Sequence, residues 1–203
     1  MKKVFLLLSM ALASPAVLLS SCASTAALPS PGTSPASEAG AFRPVYLTDK
    51  KAVSLLPTSA LASPIDAYQH LVADFRGRTF ETDCLLLADQ HQLFMTILNE
   101  FGSTLGSLVY TADELSFETS LFPKQIPAEY IVFDVQLCYY RLADLQQALS
   151  AAGLRLEETA GSDGETRTVY DGRKELVCIE KSSGAITCTN FLRGYRYTLT
   201  SAN

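Results

Sequence analysis

Residues 80–119 read FETDCLLLADQHQLFMTILNEFGSTLGSLVYTADELSFET, and this stretch decides the fold. Short apolar or alternating runs are separated by turn residues: Phe80 to Ala88, Gln92 to Leu98, Leu105 to Thr111 and Leu115 to Thr119. Runs this short, bounded by Asp, Asn, Gly and Ser, are strands joined by tight connections rather than helices. Leu93, Met95 and Ile97 alternate with Phe94 and Leu98, and Leu85 to Leu87 is unbroken, so neither face of these strands suits water. Such a sheet is covered by helix on one side and is either packed or curved around a cavity on the other.

The same signal continues outward. His70 to Arg76 precedes the stretch, and Leu154 to Thr159, Thr166 to Asp171, Glu175 to Lys181, Ala185 to Phe191 and Tyr195 to Thr200 follow it. Asp163-Gly164 and Ser183-Gly184 are strong hairpin turns, because Gly supplies the positive φ that two-residue turns need. Arg76-Gly77-Arg78 and Asp89-Gln90-His91 are weaker ones. Between the two groups of strands, Ile126-Pro127 to Ser150 reads as helix. Its apolar residues Ile131, Val132, Val135, Leu137, Leu142, Leu145 and Leu149 recur at three- and four-residue spacing, with Gly153 placed to stop it. Five strands, one or two helices and five strands predict an α+β domain: an antiparallel sheet covered by one or two helices.

The N-terminus is of another kind. Lys2 and Lys3 precede an apolar run from Val4 to Leu19, interrupted by Ser9, Ser14 and Pro15 and ending in Leu19-Ser20-Ser21-Cys22. This resembles a bacterial lipoprotein signal peptide over residues 1–21, with Cys22 as the thiol that takes a diacylglyceryl group. The run is too short, and too broken at Pro15, for a membrane-spanning helix. Three acyl chains on a mature Cys22 imply stable anchoring to a bilayer. Ala23 rather than Asp after the cysteine implies the outer membrane, at its periplasmic face. All but Leu28, Glu38 and Phe42 of the residues from Ala23 to Phe42 are Ala, Ser, Thr, Pro or Gly. Residues 22–42 therefore read as acylated cysteine and tether, with an r.m.s. reach of roughly 25 Å, and residues 43–203 as one domain.

Composition narrows the function classes. With 16 Lys+Arg against 21 Asp+Glu the formal charge is −5, which argues against nucleic acid as a partner. Cysteine chemistry is limited. Cys178 and Cys188 flank Ser183-Gly184 almost symmetrically, which suggests one disulfide, and Cys84 with Cys138 is a second candidate pair. Four small buried hydrophobes are the alternative. No metal is expected, since close ligand pairs are lacking and His70 and His91 are far apart. Gly102-Ser103-Thr104-Leu105-Gly106 puts Thr where a nucleophile elbow needs Ser, and Glu157 and Glu158 point to opposite faces of a strand. Neither a phosphate-binding Gly-rich loop nor a cofactor motif appears, so catalysis is not expected.

The segment Gln92 to Tyr110, QLFMTILNEFGSTLGSLVY, resembles the strand, Asn-Pro-Leu-Gly-type loop and strand of the outer-membrane lipoprotein receptor family LolB; here the loop is Asn99 to Thr104. The chain is more similar still to an uncharacterised LolB-like lipoprotein family found with aryl-polyene biosynthesis genes. The residues that carry this likeness are Pro127-Ala128-Glu129-Tyr130, Asp134-Val135-Gln136-Leu137, Leu142 to Leu149, Asp171-Gly172-Arg173 and Phe191-Leu192-Arg193-Gly194-Tyr195, spanning Asp66 to Leu199.

The resemblance implies an incomplete antiparallel barrel of the LolA/LolB kind, curved around an apolar interior that holds acyl chains. Leu93, Met95, Ile97, Val109, Phe117, Leu137 and Leu145 are then its candidate lining. It further implies a hydrophobic cargo, a lipid, lipoprotein or aryl-polyene lipid, handed over by a LolA-like periplasmic carrier or a transporter. Phe101 would take the role of the protruding loop residue that touches the membrane. Glu100 stands where that pattern has Pro, and the residues alone leave open a second position for Phe101, tucked under the sheet edge. A docking or assembly module with a filled core is the competing reading of the whole chain.

Overall fold

The structure, a computed structural model, describes residues 42–120 and 127–201. Cys22, the signal sequence, the tether up to residue 41 and Ile126 lie outside the described residues. In chain order the elements are β1 (Val45–Tyr46), β2 (Ala52–Val53), a 3-10 turn (Thr58–Ala60), β3 (Ile65–Phe75), β4 (Arg78–Ala88), β5 (Leu93–Leu98), β6 (Thr104–Tyr110) and β7 (Leu115–Thr119). Then come α1 (Ala128–Tyr139), α2 (Leu142–Ala151), β8 (Arg155–Gly161), β9 (Gly164–Asp171), β10 (Lys174–Ser182), β11 (Ala185–Asn190) and β12 (Tyr195–Ser201).

Ten of the strands form a single curved, unclosed antiparallel sheet in the order β7-β6-β5-β4-β3-β12-β11-β10-β9-β8. Two meanders, β3 to β7 and β8 to β12, are joined where the first strand of one pairs with the last of the other, Tyr195 opposite Phe75 and Ser201 opposite Gln69. The chain is thus α+β, a curved antiparallel sheet covered by two helices. Tight turns set the register. Phe75 pairs with Arg78, leaving Arg76 (φ 51°) and Gly77 (φ 75°) as a two-residue turn whose left-handed backbone suits the strand twist. At the start of β9, Gly164 has φ 152°, and a Cβ there would collide with the Lys181 carbonyl oxygen, so only Gly fits.

Side-chain alternation gives the sheet an inner and an outer face. Thr82, Cys84, Leu86 and Ala88 of β4 are buried, as are Leu108 and Tyr110 of β6, while their sequence neighbours are partly or fully exposed. α1 fills the concave side. All seven residues from Val132 to Cys138 are buried, so this helix is enclosed on every flank rather than lying on a surface. α2 lies against β8 and turns only Leu145 and Leu149 inward.

The helical stretch breaks at Tyr140 and Arg141, both with extended ψ (161° and 131°), although no Gly or Pro stands there. Backbone pairing from outside compensates: Tyr140 bridges to Leu61, and the Arg141 N–H donates to the Ala60 carbonyl at 3.1 Å. Residues 42–62 therefore complete the enclosure of α1. Val45, Leu47, Val53 and Leu61 are buried in the same core as Val132, Leu137 and Leu149. No helix among the described residues is long and apolar enough to cross a membrane.

Candidate functional site

The inner face of β5 carries Leu93, Met95 and Ile97, opposite Tyr110, Leu108 and Gly106 of β6. Phe117 of β7 faces the same way, since it pairs with Leu108. Leu93, Leu137 and Leu145 belong to one buried core, with Met95 and Phe117 packed against it, and Ile97 is buried beside Cys84. Val109 does not join them. It pairs with Phe94 and Ser116 on the outer face, because adjacent residues of a strand point to opposite sides and Leu108 and Tyr110 take the inward places. Leu93, Leu108 and Leu137 have no solvent-accessible surface, so no water-sized space touches them.

Polar contacts at defined points fix α1 within the sheet. The Gln136 side-chain amide pairs with the Leu56 backbone in both directions: its Nε2 donates to Leu56 O at 2.7 Å, and Leu56 N–H donates to its Oε1 at 3.1 Å. At the helix C-terminus, Arg167 Nη1 donates to the carbonyls of Leu137 and Tyr140, both at 3.0 Å, while its Nε donates to Glu158 at 2.6 Å. These are carbonyls that an α-helix leaves without an internal partner, and a cation suits the negative end of the helix dipole. Arg167, Glu158 and Glu165 fall on the inner face together, and Lys181 pairs with Glu165.

Asp134 makes a further contact of this kind, to β12. The Tyr195 hydroxyl donates to its Oδ2 at 2.6 Å and in turn accepts from Asn190 Nδ2 at 3.1 Å. Burial pushes the Asp134 carboxyl up to about 7, partly opposed by the Tyr195 hydrogen bond and by the Arg193 charge. Arg193 itself lies over the Tyr130 ring, 3.8 Å from its centroid, and donates to the Tyr46 carbonyl at 2.7 Å. Tyr46, the first half of α1 (Tyr130 and Asp134) and Arg193-Gly194-Tyr195, far apart in sequence, thus meet.

The cysteines depart from the expected pairings. Cys84, Cys138, Cys178 and Cys188 are all free thiols. The two-residue turn at Ser183-Gly184 pairs Ser182 with Ala185, which puts Thr189 opposite Cys178 and Ile179 opposite Cys188. Cys178 and Cys188 are therefore offset by one residue and project to opposite faces, so no disulfide can join them. Cys84 and Cys138, on β4 and α1, are likewise unpaired and buried; burial pushes both thiols up to about 12.

The loop between β5 and β6 is built by Asn99, whose Oδ1 accepts from the N–H groups of Phe101 (3.0 Å) and Ser103 (2.8 Å). Gly102 turns the chain at φ 75°. The result holds Phe101 out, 82% exposed, instead of tucking it under the sheet edge. His70 lies elsewhere, on the outer face, where its Nδ1 is 3.1 Å from Asp83 Oδ1 and the Tyr68 hydroxyl donates to Asp83 Oδ2 at 2.8 Å. Among the described residues no group of three or more His, Cys, Asp or Glu side chains is placed to hold a metal.

A family model described as a protein of unknown function, DUF3261, matches residues 66–203. No curated protein matches the chain.

Proposed function

We propose, for a chain that belongs to the DUF3261 family, that it is a LolB-like, lipid-anchored outer-membrane lipoprotein that binds a lipidic or acylated cargo without covalent chemistry. Cys22 carries the anchor, and a LolA-like periplasmic carrier or a transporter supplies the cargo, an aryl-polyene lipid or a lipoprotein. The observation that carries this reading is the curved, unclosed sheet whose apolar inner face is occupied by a helix. In this reading the side chains of α1 hold the place within the concave sheet that a cargo would take. Moving a chain from one apolar site to another keeps its methylenes out of water, at about 0.8 kcal/mol for each. In this mechanism α1 gives way to cargo along Leu93, Met95 and Phe117, while Phe101, exposed on its own loop, touches the bilayer during delivery.

A second reading has its own support. Since Leu93, Leu108 and Leu137 touch no water-sized space, the core serves equally well as the filled interior of a docking module that binds through its surface.

Titration of the exported chain with a fluorescent polyenoic fatty acid separates the two. Saturable uptake that bacterial phospholipid displaces, and that Met95→Glu weakens, supports the carrier. Absence of uptake, or uptake indifferent to Met95→Glu in a folded variant, transfers the function to the docking module.

A further inference from the structure

The end of the sheet formed by the β3–β4 and β11–β12 turns combines exposed apolar side chains with unpaired cations. Phe75, Phe191 and Leu192 are exposed there, Phe191 by half its surface. Arg76, Arg78 and Arg196 stand in or beside these turns, and among the described residues none of the three is in an ion pair. Between the two turns lies an open groove of about 360 Å3, lined among others by Arg76, Phe191, Gly194 and Arg196, and also by Asp74. The backbone here is held stiffly. Arg76 and Gly77 sit in the left-handed region, Gly194 N–H donates to Asn190 O at 2.9 Å, and the Asn190 side chain accepts from the Arg193 N–H at 2.9 Å.

The turns at the other ends of these meanders are of opposite sign. They carry Asp89, Asp113, Glu114 and Asp163. The rim thus carries Arg76, Arg78 and Arg196 with aromatic residues, alongside Asp74 and, at the neighbouring β9–β10 turn, Asp171 and Glu175, while the opposite turns carry carboxylates, a polarity that orients the domain in the field of an anionic surface. The start of the folded chain touches both ends: the Phe42 ring packs on Tyr110, beside the acidic turns, and the Tyr46 carbonyl accepts from Arg193, beside the rim.

We propose that the Phe75, Arg76, Phe191, Leu192 and Arg196 rim is a second membrane contact, which docks the domain on anionic phospholipid with the groove receiving headgroup phosphate. This rests on the lipid-anchored reading of the chain and adds to it an orientation: β3–β4 and β11–β12 down, the acidic turns away. It is separate from the Phe101 loop, which leaves the sheet where Leu98 pairs with Asp83, well short of the β3–β4 turn.

The test is flotation of residues 23–203, which carry neither the apolar signal sequence nor the acylated cysteine. The vesicles are phosphatidylethanolamine with about one-third phosphatidylglycerol, or neutral phosphatidylcholine. Binding to the anionic vesicles alone is expected. It should fall at least about tenfold in Arg76→Glu/Arg196→Glu and about tenfold in Phe191→Ser, with unchanged thermal unfolding, and should persist in Phe101→Ser. Binding to neither vesicle, or anionic binding that both rim variants retain, overturns the proposal. The anchor is checked independently by the mass of the Cys22 peptide from membranes: an unacylated Cys22 refutes the lipoprotein reading without altering the flotation result.

Discussion

Asp134 gives the pH dependence of stability a definite sign. Its carboxyl is buried between α1 and β12, and its pKa rises from an ordinary 3.8 to about 7 in the folded chain. Between those two values the folded protein holds a proton that the unfolded chain releases, so the unfolded state binds fewer protons and stability falls as pH rises. The contribution is complete below about pH 4 and gone above about pH 7. A three-unit difference corresponds to about 4 kcal/mol in total, more than half of it lost between about pH 5 and pH 8. Asp83, Asp89 and Glu165 are held below the usual carboxylate range by hydrogen bonds, and their opposite effect falls mainly at lower pH. Asp134→Asn keeps an oxygen that accepts from Tyr195 and removes the titration. Urea unfolding followed by circular dichroism at the two pH values should show the parent losing stability toward pH 8 and the variant changing much less, so that the variant is the more stable at pH 8. Equal slopes, or a parent more stable at pH 8, would refute the burial argument.

Other consequences follow from the same contacts. Arg167→Ala removes the partner of the Leu137 and Tyr140 carbonyls and of Glu158, and should cost about 3 kcal/mol in denaturant unfolding; a loss below about 1 kcal/mol means that α1 is not held there. Phe101→Ser touches no core and should change stability by less than about 0.5 kcal/mol, yet reduce cargo delivery to membranes in a reconstituted transfer assay; undiminished delivery removes the loop from the mechanism. Thiol labelling of the native protein should modify the half-buried Cys178 first, with Cys84, Cys138 and Cys188 reacting only on unfolding. Recovery of any disulfide among the four by non-reducing peptide mapping contradicts the register of β10 and β11 or the placement of α1.

The strands were legible because their cues are local. Alternation over residues 92–98 and 115–119, with Gly at the turns, fixes elements and connectivity without reference to the rest of the chain, and β7 falls on Leu115–Thr119 as its pattern indicates. The start of β3 at Ile65 was missed: Asp66 and Gln69 interrupt the apolar run, and what pairs Ile65 with Ala88 lies across the sheet. The break of the helix at Tyr140 has no local cause either, being set by Leu61 and Ala60. Face assignments failed where they depended on one residue of register. Val109 and the Cys178–Cys188 pair are both single-step errors, which exchange inside for outside. The polar ties of α1 were hidden for another reason. Asp134 and Tyr195 stand in segments that carry the family likeness, but only their juxtaposition gives them a role, and for Arg167 the hint was its inward step of β9, two residues before the buried Val169.

The most direct test of the cargo reading is native mass spectrometry of the exported chain purified from its own envelope, with Cys22→Ser to remove the anchor lipids. A stoichiometric adduct of lipid mass, lost on extraction with organic solvent, is the predicted result. A clean apo mass that stays unchanged when phospholipids and aryl-polyene lipids are offered would contradict the account and leave the filled core as the final state of the molecule.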